Sequence, residues 1–358
     1  MRLLYPEPPR RFNPLTAPAP GANPPAMAQK PRPSRPRVIV TRALPDNVEA
    51  RMGELFETVA RSEDTPLDRD ALAAAMADCD VLVPTVTDRI DAALIAAAPD
   101  RLRLIANYGA GFGHIDLKAA RERGIVVTNT PGVLTEDTAD MAMALILAAP
   151  RRLVEGDKLV RSGGWTGWAP TSMRGHRIGG KKLGILGMGR IGQAVAMRAR
   201  AFGLQVHYHN RQRLPEVLEH QLGATWHADL DAMLAAVDIL TVHTPHSAST
   251  GGLVDARRLD LLGPKGWLIN TARGEVIDPE ALVAALQSGR IAGAGLDVYV
   301  GEPAVDPRLF ALDNVILLPH LGSATFEART DMGIKVIANI RAWADGHRPP
   351  DQVLDGWL

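Results

Sequence analysis

Three polar residues in the second half of the chain have the types that hydride chemistry on a 2-oxo acid requires: Arg273, Glu302 and His320. A planar guanidinium grips a carboxylate with two parallel hydrogen bonds and polarises the carbonyl next to it. An imidazole titrates near ~6.5, so it can give and retake the proton of an alcohol. A carboxylate beside that ring orients it and raises its hold on the proton. Taken singly, a solvated arginine, an exposed glutamate and a structural histidine are ordinary features. Their contexts are shared, however. Asn270-Thr271-Ala272-Arg273-Gly274, Asp297 through Glu302-Pro303, and Pro319-His320-Leu321-Gly322-Ser323 each follow an apolar run. Ligands of parallel sheets bind beyond the carboxyl ends of strands, so the three residues are expected in one crevice.

A nucleotide fingerprint precedes them. Lys181–Leu186 reads as a strand that runs into Gly187-Met188-Gly189-Arg190-Ile191-Gly192. A helix pattern, Gln193–Phe202, and a second strand, Gln205–His209, complete a βαβ unit. Such a loop lets backbone approach a pyrophosphate, and the helix behind it offers free N–H groups and a positive dipole end. An NAD site expects an acidic residue at the end of the second strand, where it accepts from the ribose 2′-hydroxyl. This chain has Asn210-Arg211-Gln212-Arg213 instead. Asparagine does not repel a 2′-phosphate, and arginine can bind one. Asn210, Arg211 and Arg213 therefore point to NADP(H) as the preferred cofactor, with NAD(H) use left open.

The elements that must position these groups are strands alternating with helices. Strands are expected at Arg37–Thr41, Asp80–Pro84, Leu102–Ala106, Ile125–Asn129, Lys182–Leu186, Gln205–His209, Asp238–His243, Gly266–Asn270, Gly293–Val298 and Val315–Leu318. Helical patterns at Asp70–Ala77, Gly192–Phe202 and Pro279–Ser288 fall between them. That alternation predicts an α/β protein with doubly wound parallel sheets. Thr135–Arg152 reads as one long buried hinge helix, capped by Thr135 and with Arg151 and Arg152 at its negative end.

Composition bounds the rest. The chain has 358 residues, too many for one ordinary core, so two domains are expected. Forty basic residues balance forty acidic ones, which argues against nucleic acid as the main ligand. No apolar run reaches the roughly 20 residues of a membrane span. A single cysteine, Cys79, excludes an intramolecular disulfide framework and fits a cytoplasmic location. It is expected to be buried and inert. Residues 1–36 hold 11 of the 27 prolines, six basic residues and one acidic residue. This stretch is expected to be extended or disordered, with Met27 as an alternative start.

From about residue 37 onward the chain resembles the D-isomer-specific 2-hydroxyacid dehydrogenase family, and within it the glyoxylate/hydroxypyruvate reductases. The segments that carry the resemblance are Asn107–Asp116, Gly187–Gly192, Asn270–Gly274, Asp297–Pro303 and Pro319–Ser323. The resemblance implies a homodimer with a Rossmann-type nucleotide domain inserted in a flavodoxin-like substrate domain. It assigns residues 37–130 and 319–358 to substrate binding and 131–318 to the dinucleotide. It further implies Arg273 as carboxylate and carbonyl binder, His320 as proton donor and Glu302 as its partner. The N–H groups of Ala110 and Gly111 match the loop that holds the substrate carboxylate. Thr138, His243, Thr244, Pro245, Thr271, Ala272 and Asp297 match positions lining the nucleotide pocket. The loop Pro84–Thr87 would face the substrate tail and set chain length.

The expected activity is reduction of glyoxylate or hydroxypyruvate to the D-2-hydroxy acid. Two alternatives stay open: a larger 2-oxo acid on the same fold, and a dinucleotide-sensing scaffold like the corepressor relatives. Trp165 and Trp168 read as packing or interface residues. His207 and His209 share one strand face without a carboxylate nearby, so no metal site is expected.

Overall fold

The computed structural model describes residues 32–354. The stretch 1–31, with Met27 and most of the proline-rich segment, lies outside the described residues. At its inner end Arg32 donates to the carbonyls of Trp343 and His347 at 2.8 and 3.0 Å.

Two parallel sheets form the frame. The first contains β1 (Arg37–Val40), β2 (Glu57–Val59), β3 (Val81–Val83), β4 (Leu104–Ala106) and β5 (Val126–Thr128), in the order β2-β1-β3-β4-β5. The second contains β6 (Lys182–Leu186), β7 (Gln205–His209), β8 (Ala224–Trp226), β9 (Ile239–Val242), β10 (Trp267–Asn270), β11 (Gly293–Leu296) and β12 (Val315–Leu317). Their order is β12-β11-β10-β9-β6-β7-β8. Helices cover both faces of each sheet, which is why the central strands are apolar at nearly every position rather than at alternate ones. One face of the second sheet buries Ala142, Leu145 and Ile146 of one helix against Val195 and Ala199 of another. The opposite face packs Leu234, Leu259, Leu282 and Leu286. The last helix, Phe326–Ala344, returns to the first sheet, where Met332, Val336, Ile340 and Trp343 pack on Val38, Val81 and Leu104.

All ten strands expected from the sequence are present. The two that were not expected, β2 and β8, are three-residue edge strands with a half-exposed pattern and no apolar run to betray them. The long hinge helix is a correction. It runs only from Thr135 to Ala148, its N-cap is Leu134, and no side chain caps it. Pro150 lacks the N–H that would continue the ladder. Arg152 then takes a left-handed backbone with φ of 55°. A second helix, Leu153–Arg161, starts there in a new direction, and Arg152 pairs with Glu155 at 2.7 Å instead of serving the first helix end. Among the described residues no helix is long and apolar enough to cross a membrane.

Candidate active site

Each of the three expected residues sits in a loop that leaves the carboxyl end of a strand in the second sheet. β10 ends at Asn270, whose side chain staples the turn after it. Its Oδ1 accepts from Ala272 N–H at 3.0 Å, and its Nδ2 donates to the carbonyl of Arg273 at 2.9 Å. Gly274 leaves no room for a side chain, because a Cβ there would overlap the backbone of Tyr299 and Val300. The loop bearing Arg273 therefore lies directly on the loop bearing Glu302. On its other side the Arg273 guanidinium lies against Gly111 of the first sheet, where a Cβ would collide with Nη2. Burial pushes the Arg273 pKa down from its ordinary value, with Glu302 and Glu275 acting against that shift. Starting from about 12.5, the group stays cationic near neutrality.

His320 and Glu302 form an ion-pairing couple, Nδ1 to Oε2 at 2.7 Å, with each side chain about one-third exposed. The other Glu302 oxygen accepts from Tyr299 N–H at 2.8 Å. Burial alone would raise the Glu302 pKa. The His320 bond and the Tyr299 N–H outweigh it and hold the carboxyl below its ordinary value. An ionised Glu302 can only accept, so Nδ1 of His320 carries a proton and Nε2 is left for the reacting group.

His320 has φ of 56°, an uncommon backbone for a residue with a side chain. The surroundings enforce it. His320 N–H donates to the carbonyl of Asp297 at 3.0 Å. The buried Asp297 carboxylate then takes the next two N–H groups, from Leu321 at 2.6 Å and Gly322 at 2.7 Å. Burial raises the Asp297 pKa, and these two N–H groups oppose that. Thr138 donates to the carbonyl of Gly322 at 3.0 Å. The resemblance puts Asp297 and Thr138 in the nucleotide pocket; in the structure their polar atoms hydrogen-bond the turn that carries His320.

The glycine loop meets the needs of a dinucleotide. Gly187 has φ of 101° and lies against the backbone of His243 and Thr244, where a Cβ would clash. Gly189 caps the helix Arg190–Ala201 without a side-chain hydrogen bond, and no acidic residue sits in its first turn. Other helices here, those starting after Asp68, Asp91, Asp116 and Asp255, spend an aspartate on the same N–H groups. A Cβ on Gly189 would meet nothing within 4 Å beyond its chain neighbours, so there is open space beside this helix start, whose first N–H groups have no intrahelical acceptor. Thr271 Oγ1 and His243 Nδ1 are buried polar atoms with no partner. Burial holds His243 down to about 3, so it is neutral at working pH. These features fit a nicotinamide dinucleotide.

The cofactor-selecting segment divides. Asn210 Oδ1 accepts from Met188 N–H at 2.7 Å, tying the glycine loop to the end of β7. Arg211 is exposed and has no ion-pair partner among the described residues. Arg213, expected at the cofactor, is engaged elsewhere in this structure. Both prongs of its guanidinium bind Glu219, at 2.7 and 2.9 Å, and it lies over the Trp226 ring at 5.5 Å. Its charge is already neutralised.

The first sheet supplies the facing wall. Tyr108 N–H donates to the carbonyl of Pro84 at 2.8 Å, so the Pro84–Thr87 turn borders the Tyr108–Gly111 loop. Asp88 holds that turn through Thr85 N–H at 2.7 Å. Sequence reasoning gave no role to Asn107, His114 or Asn129, which pack behind this loop. Their signal was present as polar residues inside or next to a glycine-rich stretch at strand ends. A cavity of about 340 Å³, lined by Pro150, Arg152, Trp267 and Asn314, lies at the other, amino-terminal end of the strands. It has no part in this constellation. Cys79 is buried, and burial pushes its thiol up to about 12. His207 bonds His227 at 2.9 Å, and among the described residues no group of side chains is arranged to hold a metal.

Comparison with known proteins agrees with this geometry. Residues 143–322 match the family model described as "D-isomer specific 2-hydroxyacid dehydrogenase, NAD binding domain". A glyoxylate reductase of Thermococcus onnurineus is 44% identical over 323 residues, covering 89% of this chain and 96% of that protein. The solved structure of an NADPH-dependent glyoxylate/hydroxypyruvate reductase of Sinorhizobium meliloti, in complex with NADP and malonate, is 40% identical, with a TM-score of 0.76 over 89% of this chain and 97% of that one. A glyoxylate reductase structure from Paecilomyes thermophila has a TM-score of 0.79 at 34% identity, covering 90% of this chain and 98% of that one. With a family model matching half of the chain and relatives this similar over nearly their whole length, the chain belongs to the D-isomer specific 2-hydroxyacid dehydrogenase family.

Proposed function

We propose that the protein reduces glyoxylate and hydroxypyruvate to 2-hydroxy acids, of D configuration where a stereocentre forms, with NADPH preferred over NADH. The observation that carries the reading is the meeting of Arg273 with both the Gly111 backbone and the Glu302 loop, beside a His320 whose Nε2 is left unspent. A reduced nicotinamide dinucleotide supplies the hydride when bound. Arg273 and the N–H groups of Ala110 and Gly111 bind the carboxylate, and the guanidinium polarises the adjacent carbonyl. His320 Nε2 gives its proton to the carbonyl oxygen as that oxygen becomes an alcohol. Glu302 stabilises the imidazolium beforehand and keeps the ring oriented afterwards. The one-third exposure of His320 lets solvent restore the proton. NADPH preference rests on Arg211, which stands at the end of β7 with its charge uncompensated, next to an asparagine rather than an acid. The names of the relatives support glyoxylate as substrate.

We also propose a homodimer. The helix Leu153–Arg161 buries none of its residues, and Leu153, Val160, Trp165 and Trp168 are exposed, Trp168 by 83%. Apolar exposure of this kind marks an interaction surface. Oxidation of NADPH and NADH with a panel of 2-oxo acids tests the activity. Turnover of a bulky 2-oxo acid but of neither small one would replace the substrate and keep the reaction. Light scattering of the purified chain tests the dimer, and a monomeric mass would remove it.

A further inference from the structure

We propose that Asn107 and Asn129 are positioning residues that aim the N–H groups of Ala110 and Gly111 at the substrate carboxylate by holding three successive carbonyls of the loop from behind. The inference rests on the reading above, that this loop binds the carboxylate. Asn107 Nδ2 donates to the carbonyls of Gly109 and Gly111, both at 2.9 Å. Asn129 Nδ2 donates to the carbonyl between them, that of Ala110, at 2.8 Å. Both asparagines are almost wholly buried. In a trans peptide the C=O of one residue and the N–H of the next point in opposite directions. Pulling the carbonyls of Gly109 and Ala110 into the protein therefore turns the N–H groups of Ala110 and Gly111 outward. Neither N–H has an acceptor among the described residues. They face out beside Gly111, where the Arg273 guanidinium also arrives.

The Asn107 half of the clamp is itself locked. With Nδ2 of Asn107 facing two carbonyls, its Oδ1 faces His114 Nε2 at 3.0 Å and can only accept. Burial, aided by the Arg273 charge, holds His114 down to about 4. The ring is neutral, and its one N–H is committed to Asn107. Asn129 is anchored from the C-terminal segment. Its N–H donates to the carbonyl of Asp351 at 3.3 Å, and Asp351 bonds Asn339 at 3.1 Å and Lys335 at 2.9 Å. Thus residues far apart in sequence meet behind three successive carbonyls of one loop.

Asn129→Asp keeps the shape but replaces the donor with a carboxylate that repels the Ala110 carbonyl. The expected result at neutral pH is a rise of about tenfold or more in glyoxylate KM and in the inhibition constant of oxamate, the loss of one hydrogen bond plus an unpaired, partly buried carbonyl. Turnover at saturation and NADPH affinity should change far less. Affinity for oxamate should recover, relative to the parent protein, as pH falls and the carboxylic acid donates again. Asn107→Ser supplies a second variant should the first not fold, with the same KM-weighted loss. Unchanged KM and oxamate inhibition, or a matching loss of NADPH affinity, or a loss confined to kcat, would overturn the clamp. The unmodified protein separates the two layers. If it reduces glyoxylate and is inhibited by oxamate while the variants behave like it, the clamp alone fails. If it reduces no 2-oxo acid, the functional reading fails first and takes the clamp with it.

Discussion

Replacing Glu302 by glutamine removes a charge while keeping the volume and one acceptor for His320 Nδ1. Two unit charges about 4 Å apart interact by about 4 kcal/mol at an effective dielectric of 20, and by about 1 kcal/mol in bulk water. The His320 and Glu302 side chains are 32% and 31% exposed, so the pair lies between those limits. A value of about 2 kcal/mol corresponds to a factor of roughly 30 in favour of the charged pair. The sign follows from the proton's role. Reduction needs His320 charged, and the Glu302 carboxylate at 2.7 Å favours that charged form. Without its carboxylate neighbour the charged ring loses that stabilisation, and the alkaline limb of the kcat profile for glyoxylate reduction should move to lower pH. Oxidation of the hydroxy acid needs neutral His320, so its acid limb should move the same way. The assay is NADPH absorbance across pH for the parent and Glu302→Gln. A profile that stays in place, or moves to higher pH, would refute Glu302 as the partner that stabilises the charged ring.

Three further substitutions probe the remaining roles. Arg211→Ala should weaken NADPH by about tenfold, the lower end of a charge-assisted contact given its exposure, and leave NADH nearly unchanged; equal losses in kcat/KM for the two cofactors would return Arg211 to the fold. Arg213→Ala should leave the NADPH to NADH ratio as it was and lower Tm, because it strands the Glu219 carboxylate, which is only 8% exposed; a selective NADPH loss in steady-state kinetics would contradict its pairing. Arg273→Lys keeps the charge but loses the planar fork, so KM for glyoxylate should rise and kcat should fall as well, since polarisation of the carbonyl grows toward the transition state; a change in KM alone would restrict Arg273 to binding.

Much of this was readable from residues alone. Runs such as Val38-Ile39-Val40 and Val81-Leu82-Val83 announce doubly covered strands because both faces of a parallel sheet are buried. The edge strands β2 and β8 were not readable, since three half-exposed residues carry no period. Arg273, Glu302 and His320 could be brought together because strand ends converge. Their wiring could not, because it depends on contacts between loops distant in sequence. Nothing in the string Asp297–Pro303 says that Asp297 will take the N–H groups of Leu321 and Gly322. The pairing of Arg213 with Glu219 was open to a reader who laid a helix over Glu216–Leu222, which puts Glu219 back toward the end of β7. The break after Ala148 was likewise signalled by Pro150, against a run of apolar residues that suggested continuity.

The central claim is that a dinucleotide-dependent reduction runs through the proton of His320. Its most direct measurement is the glyoxylate-dependent oxidation of NADPH by the parent protein and by His320→Ala, alongside NADPH binding by fluorescence. The account predicts ready turnover by the parent, a loss of about 10²- to 10⁴-fold in kcat for the variant, and NADPH affinity equal in both. Turnover that survives the substitution, or a parent protein that binds NADPH and reduces no 2-oxo acid, would contradict it.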